Sequence, residues 1–192
     1  MKQEIEIELK NIVTKQEFET LVNAFNIHSF STQVNHYFET PSFSLKDKGA
    51  ALRIRFKNDA YTLTLKQPAK VGLLETHQSL TKEDATRMIQ TGKIVPGGIL
   101  NLLHSLSVLP DELQYLGELT TNRAEIIYKG GILMFDHSFY FDTDDYELEY
   151  EVKDEQEGRK QFLELLQSHH IPVRHTENKI KRFFLEKQKR SK

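Results

Sequence analysis

A chain of 192 residues has room for one domain with a sizeable core, and 38% hydrophobic with 28% charged residues is the composition of a folded rather than a disordered protein. Lys and Arg total 26 against 28 Asp and Glu, a formal net charge of −2, which excludes a grip on nucleic acid or anionic membrane by bulk positive charge. The absence of cysteine removes disulfides, thiolate metal sites and cysteine nucleophiles, and fits a reducing cytoplasm.

The opening residues Met1 to Lys10 contain no apolar signal region, and no stretch approaches the roughly twenty apolar residues of a membrane span. The expectation is a cytoplasmic protein, a single domain over 1–192, with neither membrane nor nucleic acid as partner. Glu4 to Lys10 alternate charged and apolar, the period of a strand. Thr14 and Glu17 form a capping box, and Phe18, Leu21, Val22 and Phe25 follow at helical spacing, which predicts a helix ending near Asn26. Strand alternation returns at Gln33–Thr40, Ala51–Lys57, Tyr61–Lys66 and Leu73–Leu80, where the first and third consecutive pairs read as hairpins. Helices are expected from Thr81 to about Gln90 and over Ile99–Leu106. Three more strands follow at Leu116–Tyr128, Ile132–Phe141 and Tyr146–Lys153. Helices over Glu155–His169 and Lys179–Lys187 close the chain. Eight or nine antiparallel strands with several helices make an α+β pattern, and many strands joined by short turns suggest a barrel or a strongly curved sheet.

Four of the strands pair an apolar face with a charged one, because side chains two apart share a face. Glu4, Glu6, Glu8 and Lys10 line one side of the first; Arg53, Arg55 and Lys57, then Lys66, and then Glu147, Glu149 and Glu151 repeat the split. A sheet with one wet face explains any single strand. Runs of like charge explain less well as a solvated face, since neighbours of one sign repel. If the sheet closes with its apolar faces outward under the helices, the charged faces point into the lumen. Carboxylates there suit hard divalent cations, and Arg and Lys suit the oxygens of a phosphate chain.

These residues resemble the CYTH family, the triphosphate tunnel metalloenzymes. The resemblance rests on the E-x-E-x-K strand Glu6-Ile7-Glu8-Leu9-Lys10, followed in order by Tyr37-Phe38-Glu39-Thr40-Pro41, Arg53 and Arg55, Leu63 to Lys66, Glu75, Arg123, Phe135-Asp136, Glu149-Tyr150-Glu151 and Lys179 to Arg182. Where relatives often carry Asp in the second of these segments, this chain has Glu39. The resemblance implies an eight-stranded antiparallel β-barrel (tunnel) with flanking helices and divalent-metal-dependent chemistry on triphosphates. It implies Glu6, Glu8, Glu149 and Glu151 as the metal cluster, assisted by Glu75 and Asp136. Lys10, Arg53, Arg55, Lys66, Arg123 and Lys179 are the implied phosphate clamp, with Lys10 among the catalytic residues beside the four glutamates. Glu4 and Glu147 share the relevant faces.

The expected activity is a triphosphatase using Mg²⁺ or Mn²⁺, with inorganic tripolyphosphate the favoured substrate over thiamine triphosphate or a nucleoside triphosphate. The alternatives are an adenylate cyclase making cyclic AMP from ATP, and a polyphosphate-binding module without turnover. No phosphate loop, nucleophile elbow or H-E-x-x-H pair is present. Of the eight His, His169 and His170 sit at a helix end, and His77 and His137 are expected in surface or packing roles. Phe162, Leu163, Leu165 and Leu166 read as a helix stripe against the sheet. The basic residues from Lys179 to Lys192 read either as a solvated helix end or as a plug whose Lys179 reaches inward.

Overall fold

The computed structural model describes residues 1–190. In chain order the elements are β1 (Lys2–Val13), α1 (Lys15–Ala24), β2 (Ser31–Glu39), α2 (Ser44–Asp47), β3 (Ala51–Lys57), β4 (Ala60–Pro68), β5 (Leu73–Leu80), α3 (Lys82–Thr91), α4 (Gly98–Ser105), a 3-10 turn (Pro110–Glu112), β6 (Gln114–Tyr128), β7 (Gly131–Tyr140), β8 (Thr143–Val152), α5 (Glu155–Ser168) and α6 (Lys179–Arg190). The capping box at the start of α1 forms in full: Thr14 Oγ1 accepts from Glu17 N at 3.2 Å, and Glu17 Oε2 accepts from Thr14 N at 2.8 Å. Thr81 and Asp154 cap α3 and α5 by accepting from the backbone N–H groups of Asp84 and Glu157.

The strands hydrogen-bond in the order β1-β5-β4-β3-β2-β6-β7-β8, and the order closes on itself as an eight-stranded barrel. The recorded pairings are antiparallel. Each of the successive pairs β2–β3, β3–β4 and β4–β5 is a neighbour pair, so the middle pair joins the two expected as hairpins. Strand β1 divides its length between two partners, Lys2–Glu6 on β5 and Ile7–Val13 on β8.

The chain divides into two compact units, residues 1–6 with 33–118 and residues 7–32 with those from 119 onward. In the first, Phe38, Leu52, Ile54, Leu63 and Leu65 pack against Ala85 and Met88 of α3 and Ile99 and Leu103 of α4. In the second, Val13, Leu133, Phe135, Leu148 and Tyr150 pack against Phe18 and Leu21 of α1 and Phe162, Leu165 and Leu166 of α5. Each buried Val, Leu, Ile, Phe or Met side chain among them is worth about 1.5–3 kcal/mol relative to exposure. Leu163 is 45% exposed. Residues 162, 165 and 166 stand three and four apart, whereas 163 falls off that stripe, so the expected four-residue stripe is a three-residue one. Both conditions set out for inward charge are met: the strand order closes, and in each unit the apolar strand faces lie under helices.

Short α2 has no counterpart among the sequence expectations, because one turn is too brief for a hydrophobic period to show. Phe43 precedes it in a left-handed conformation with φ of 59° and gives no side-chain cap. Glu39 supplies one instead, its carboxylate accepting from the N–H groups of Thr40, Leu45 and Lys46 at 2.8, 3.0 and 2.9 Å. Glu39 is therefore a backbone anchor. Among the described residues no helix is long and apolar enough to cross a membrane.

Removing the α1 cap by Thr14→Ala should cost about 1 kcal/mol, read as a shift of the urea midpoint with an unchanged m-value.

Candidate functional site

The second unit holds a network of buried charge. Within β8, Glu147 and Glu149 point to the side away from Leu148 and Tyr150, and Asp136 of β7 is the Cα partner of Glu147. Arg123 of β6, partner of Asp136 in the next register, binds that carboxylate bidentately, Nε to Oδ1 at 2.6 Å and Nη2 to Oδ2 at 2.5 Å, and also bridges Glu149. Lys179, the first residue of α6, reaches Asp136 Oδ2 at 2.7 Å, Glu147 Oε2 at 2.8 Å and Glu149. Arg182, one turn on, bonds Glu147 Oε2 at 2.6 Å and Asp145 Oδ2 at 2.9 Å. Lys10 pairs with Glu8 at 2.6 Å, and its Cα partner across β1 and β8 is Glu149. Glu8 faces Glu151 in the same ladder.

Burial alone would drive these groups toward their neutral forms, and their partners reverse it. Desolvation opposes charge on Glu149, but Lys179, Arg123 and Lys10 hold its carboxyl well below the usual range. Desolvation likewise would lower Lys179, but Asp136, Glu147 and Glu149 hold its ammonium well above its ordinary value. Arg123 is raised in the same way by Glu149 and Asp136, and Lys10 by Glu8, Glu149 and Glu147. These partners thus favour the charged form of all four.

In this network carboxylate oxygens of Asp136, Glu147 and Glu149 lie within 4.8 Å of one another. Glu147 is fully buried, yet its Oε1 has no hydrogen-bond donor among the described residues. A buried acceptor with no donor, inside an all-oxygen group, fits a hard divalent cation.

The first unit has a separate cluster. Lys66 of β4 pairs with Glu6 Oε2 at 2.5 Å and with Glu75 of β5, its Cα partner. Arg53 stands 3.7 Å from Glu75. His77 Nε2 lies 3.0 Å from Glu4 Oε1 and 3.2 Å from Glu75 Oε2, while its Nδ1 meets Thr64 Oγ1 at 3.0 Å. Arg55 donates to Asn35 Oδ1 at 2.9 Å. Burial would raise the Glu75 carboxyl, but the charges of Arg53 and Lys66 outweigh it and hold it down to about 2.

The structure gathers Lys10, Arg123, Asp136, Glu149 and Lys179 in one network, and Lys66, Arg53 and Glu75 in another. The metal-ligating side chains that converge within 4.8 Å are the carboxylates of Asp136, Glu147 and Glu149 in one place and those of Glu4 and Glu75 with the imidazole of His77 in another, rather than Glu6, Glu8, Glu149 and Glu151 as one group. Glu147 is central where the sequence left it marginal. His77, expected in a surface or packing role, stands on the charged face two residues after Glu75; its position on that face was available from the strand period. His137 does pack, stacking on Tyr146 with ring centroids 4.1 Å apart. Arg182 was visible only as part of a basic tail. Of that tail, Lys192 lies outside the described residues.

The CYTH domain family model matches residues 4–184. The chain belongs to the CYTH family. It is 51% identical over 192 residues, 98% of this chain and 99% of the relative, to the "Putative triphosphatase YjbK" of Bacillus subtilis (strain 168). A solved structure described as a "putative adenylate cyclase" from Bacillus halodurans is 44% identical, covers 96% of this chain and 100% of its own, and superposes with a TM-score of 0.92. HpAC1 from Hippeastrum, whose structure is described as revealing "a dominant triphophatase activity", matches 95% of this chain and 96% of its own with a TM-score of 0.79 at 21% identity, which shows the shared fold alone.

Arg123→Met should destabilise this CYTH chain in chemical denaturation, by less than the roughly 3–5 kcal/mol of a buried charge left wholly unpaired, because Lys179 remains as a partner of Asp136 and Glu149. Glu75 titrates from its ordinary 4.5 in the unfolded chain to about 2 in the folded one. Its stabilisation is complete above pH 4.5 and disappears as pH falls toward 2. The unfolding free energy of Glu75→Gln should fall less steeply than that of wild type across this interval.

Proposed function

We propose that the chain hydrolyses a phosphoanhydride bond of a triphosphate in a divalent-metal-dependent reaction, with inorganic tripolyphosphate as favoured substrate. The observation that carries this reading is the interleaving of the buried carboxyl groups of Asp136, Glu147 and Glu149 with Arg123, Lys179 and Lys10. A module that only binds polyphosphate gains nothing from buried carboxylates, since they repel the ligand. The name borne by the B. subtilis relative agrees with hydrolysis.

Asp136, Glu147 and Glu149 are the proposed primary metal ligands, with Glu6, Glu8, Glu75 and Glu151 as further metal-directed carboxylates; Glu6, Glu8, Glu149 and Glu151 are also assigned to the catalytic set. Mg²⁺ or Mn²⁺ bound there would polarise a phosphoryl oxygen and lower the pKa of a water. Lys10, Arg53, Arg55, Lys66, Arg123 and Lys179 are the proposed binders of phosphate oxygens. Arg offers a planar fork to two oxygens and Lys a compact charge. Because their carboxylate neighbours keep Lys10, Arg123 and Lys179 charged and in place before substrate arrives, they need little reorganisation to stabilise charge on the transferring phosphoryl group. The upward shift of Lys10 suits a phosphate contact and not a general base.

Residues 1–192 are proposed to work as one domain, since β1, β2 and β6 each contribute to both compact units. The 44% identical B. halodurans protein bears a cyclase name, so cyclisation of ATP is the second reading. Purified protein given tripolyphosphate, thiamine triphosphate or ATP, with Mg²⁺, Mn²⁺ or EDTA, should release phosphate fastest from tripolyphosphate, with none in EDTA. Cyclic AMP without phosphate release would select the cyclase, and no metal-dependent product from any of the three would defeat both.

Glu8→Gln and Glu147→Gln should each lower kcat for tripolyphosphate by more than about a hundredfold, beyond what disturbing a ligand's surroundings alone produces, while far-UV circular dichroism stays that of wild type.

A further inference from the structure

Between α5 and α6 the chain runs through residues 170–178 without regular secondary structure, yet it is tied to β1 at Pro172, Arg174 and Thr176. The side chain of Asn11, only 1% exposed, donates from Nδ2 to Pro172 O at 3.2 Å and accepts from Arg174 N at 2.7 Å. The Arg174 guanidinium donates to both carboxylate oxygens of Glu17 at 2.8 and 2.9 Å and to Ile12 O at 3.2 Å. Ile12 N in turn donates to Thr176 Oγ1 at 2.7 Å. Asn178 Oδ1 then accepts from Lys181 N at 2.9 Å and starts α6.

These ties fall where they matter for Lys179. Ile12 is the Cα partner of Glu147, and Lys10 of Glu149, so Thr176 is fastened beside the strand position whose carboxylate Lys179 binds. From Thr176 to Lys179 the chain can extend at most about 10 Å, so the fastening limits where Lys179 can go. Beyond Lys179, Arg182 bonds Asp145 and Glu147, and Phe183 is buried against Phe141. Glu17 is engaged twice, because the carboxylate that closes the α1 capping box is the one that receives Arg174.

We propose that Arg174, held by Glu17, and Thr176, held by Ile12 N, are positioning residues that set the register of α6 and thereby deliver the Lys179 ammonium to Asp136, Glu147 and Glu149. The consequence for triphosphate binding rests on the phosphate-binding reading of Lys179; the positioning does not. Neither Arg174 nor Thr176 touches the carboxylate network, and their effect on it passes through the backbone of 174–179. The bidentate fork makes Arg174→Lys a poor substitute.

The experiment measures acetylation of Lys179 by an amine-reactive reagent in the full-length protein, by peptide mass spectrometry against exposed Lys129 as internal standard, below the melting temperature of each variant. In wild type Lys179 is shielded, its side chain 11% exposed. Arg174→Gln and Thr176→Val are each expected to raise Lys179 acetylation several-fold with Lys129 unchanged, and to weaken tripolyphosphate binding measured by calorimetry in metal-free buffer. Glu17→Gln should match Arg174→Gln, and the double variant should add nothing to either. Thr176→Val serves if Arg174→Gln fails to fold. Unchanged Lys179 acetylation in the folded variants, even with lowered melting temperatures, would show an ordinary structural tie and overturn the proposal. Raised acetylation with unaltered tripolyphosphate affinity, in these variants and in Lys179→Gln alike, would uphold the positioning and overturn the phosphate-binding reading of Lys179.

Discussion

Asp136, Glu147 and Glu149 are carboxylates with almost no access to water, and a buried charge without a partner is the costliest feature a small fold can carry. Arg123, Lys179 and Arg182 answer it from two different elements, β6 and α6. Other features of the second unit follow from this requirement. The β7 and β8 faces opposite the acids must be apolar and covered, which Phe18, Leu21, Phe162, Leu165 and Leu166 accomplish. The C-terminal helix must begin at a defined place, because its first side chain is part of the charge balance.

The same balance explains why the cluster is suited to chemistry on anions. Charges that neutralise one another are held in place without collapsing to neutral forms, so the site keeps both signs at neutral pH. A metal would compete for the acids and a phosphate for the cations, and one ligand containing both satisfies each set at once. The first unit repeats the principle on a smaller scale with Glu6, Glu75, Lys66 and Arg53, where the depressed Glu75 carboxyl shows that the cations dominate desolvation. The first unit's cluster is built on strands and the second unit's on strands and α6, elements that hold side chains more precisely than loops do.

Much of this was legible in the residues. The period of two put Glu4, Glu6, Glu8 and Lys10 on one face, Arg53 and Arg55 on another, and Glu147, Glu149 and Glu151 on a third, and those faces are where the clusters lie. Thr14 with Glu17 announced α1, and the helical spacing of Phe162, Leu165 and Leu166 announced α5, though Leu163 was wrongly joined to them. Less was legible where function depends on a partner remote in sequence. Glu39 looked like a neutral variation of a motif and is the cap of α2. His77 looked peripheral and stands between Glu4 and Glu75. Arg174 carried no motif at all, and its partner Glu17 appeared fully employed in a capping box.

The sequence by itself determined the periodicities: which side chains share a strand face, where helices start, and that runs of acids and runs of bases fall on particular strand faces. Those are local properties, set by backbone geometry within a few residues. The tertiary structure alone decided which acid meets which base. Pairing Asp136 with Glu147, Lys10 with Glu149 and Ile12 with Glu147 is a matter of register between strands, and the arrival of Lys179 depends on ties made more than 150 residues away along the chain. Contacts of that kind are selected by the packing of whole elements, to which no local spacing gives access.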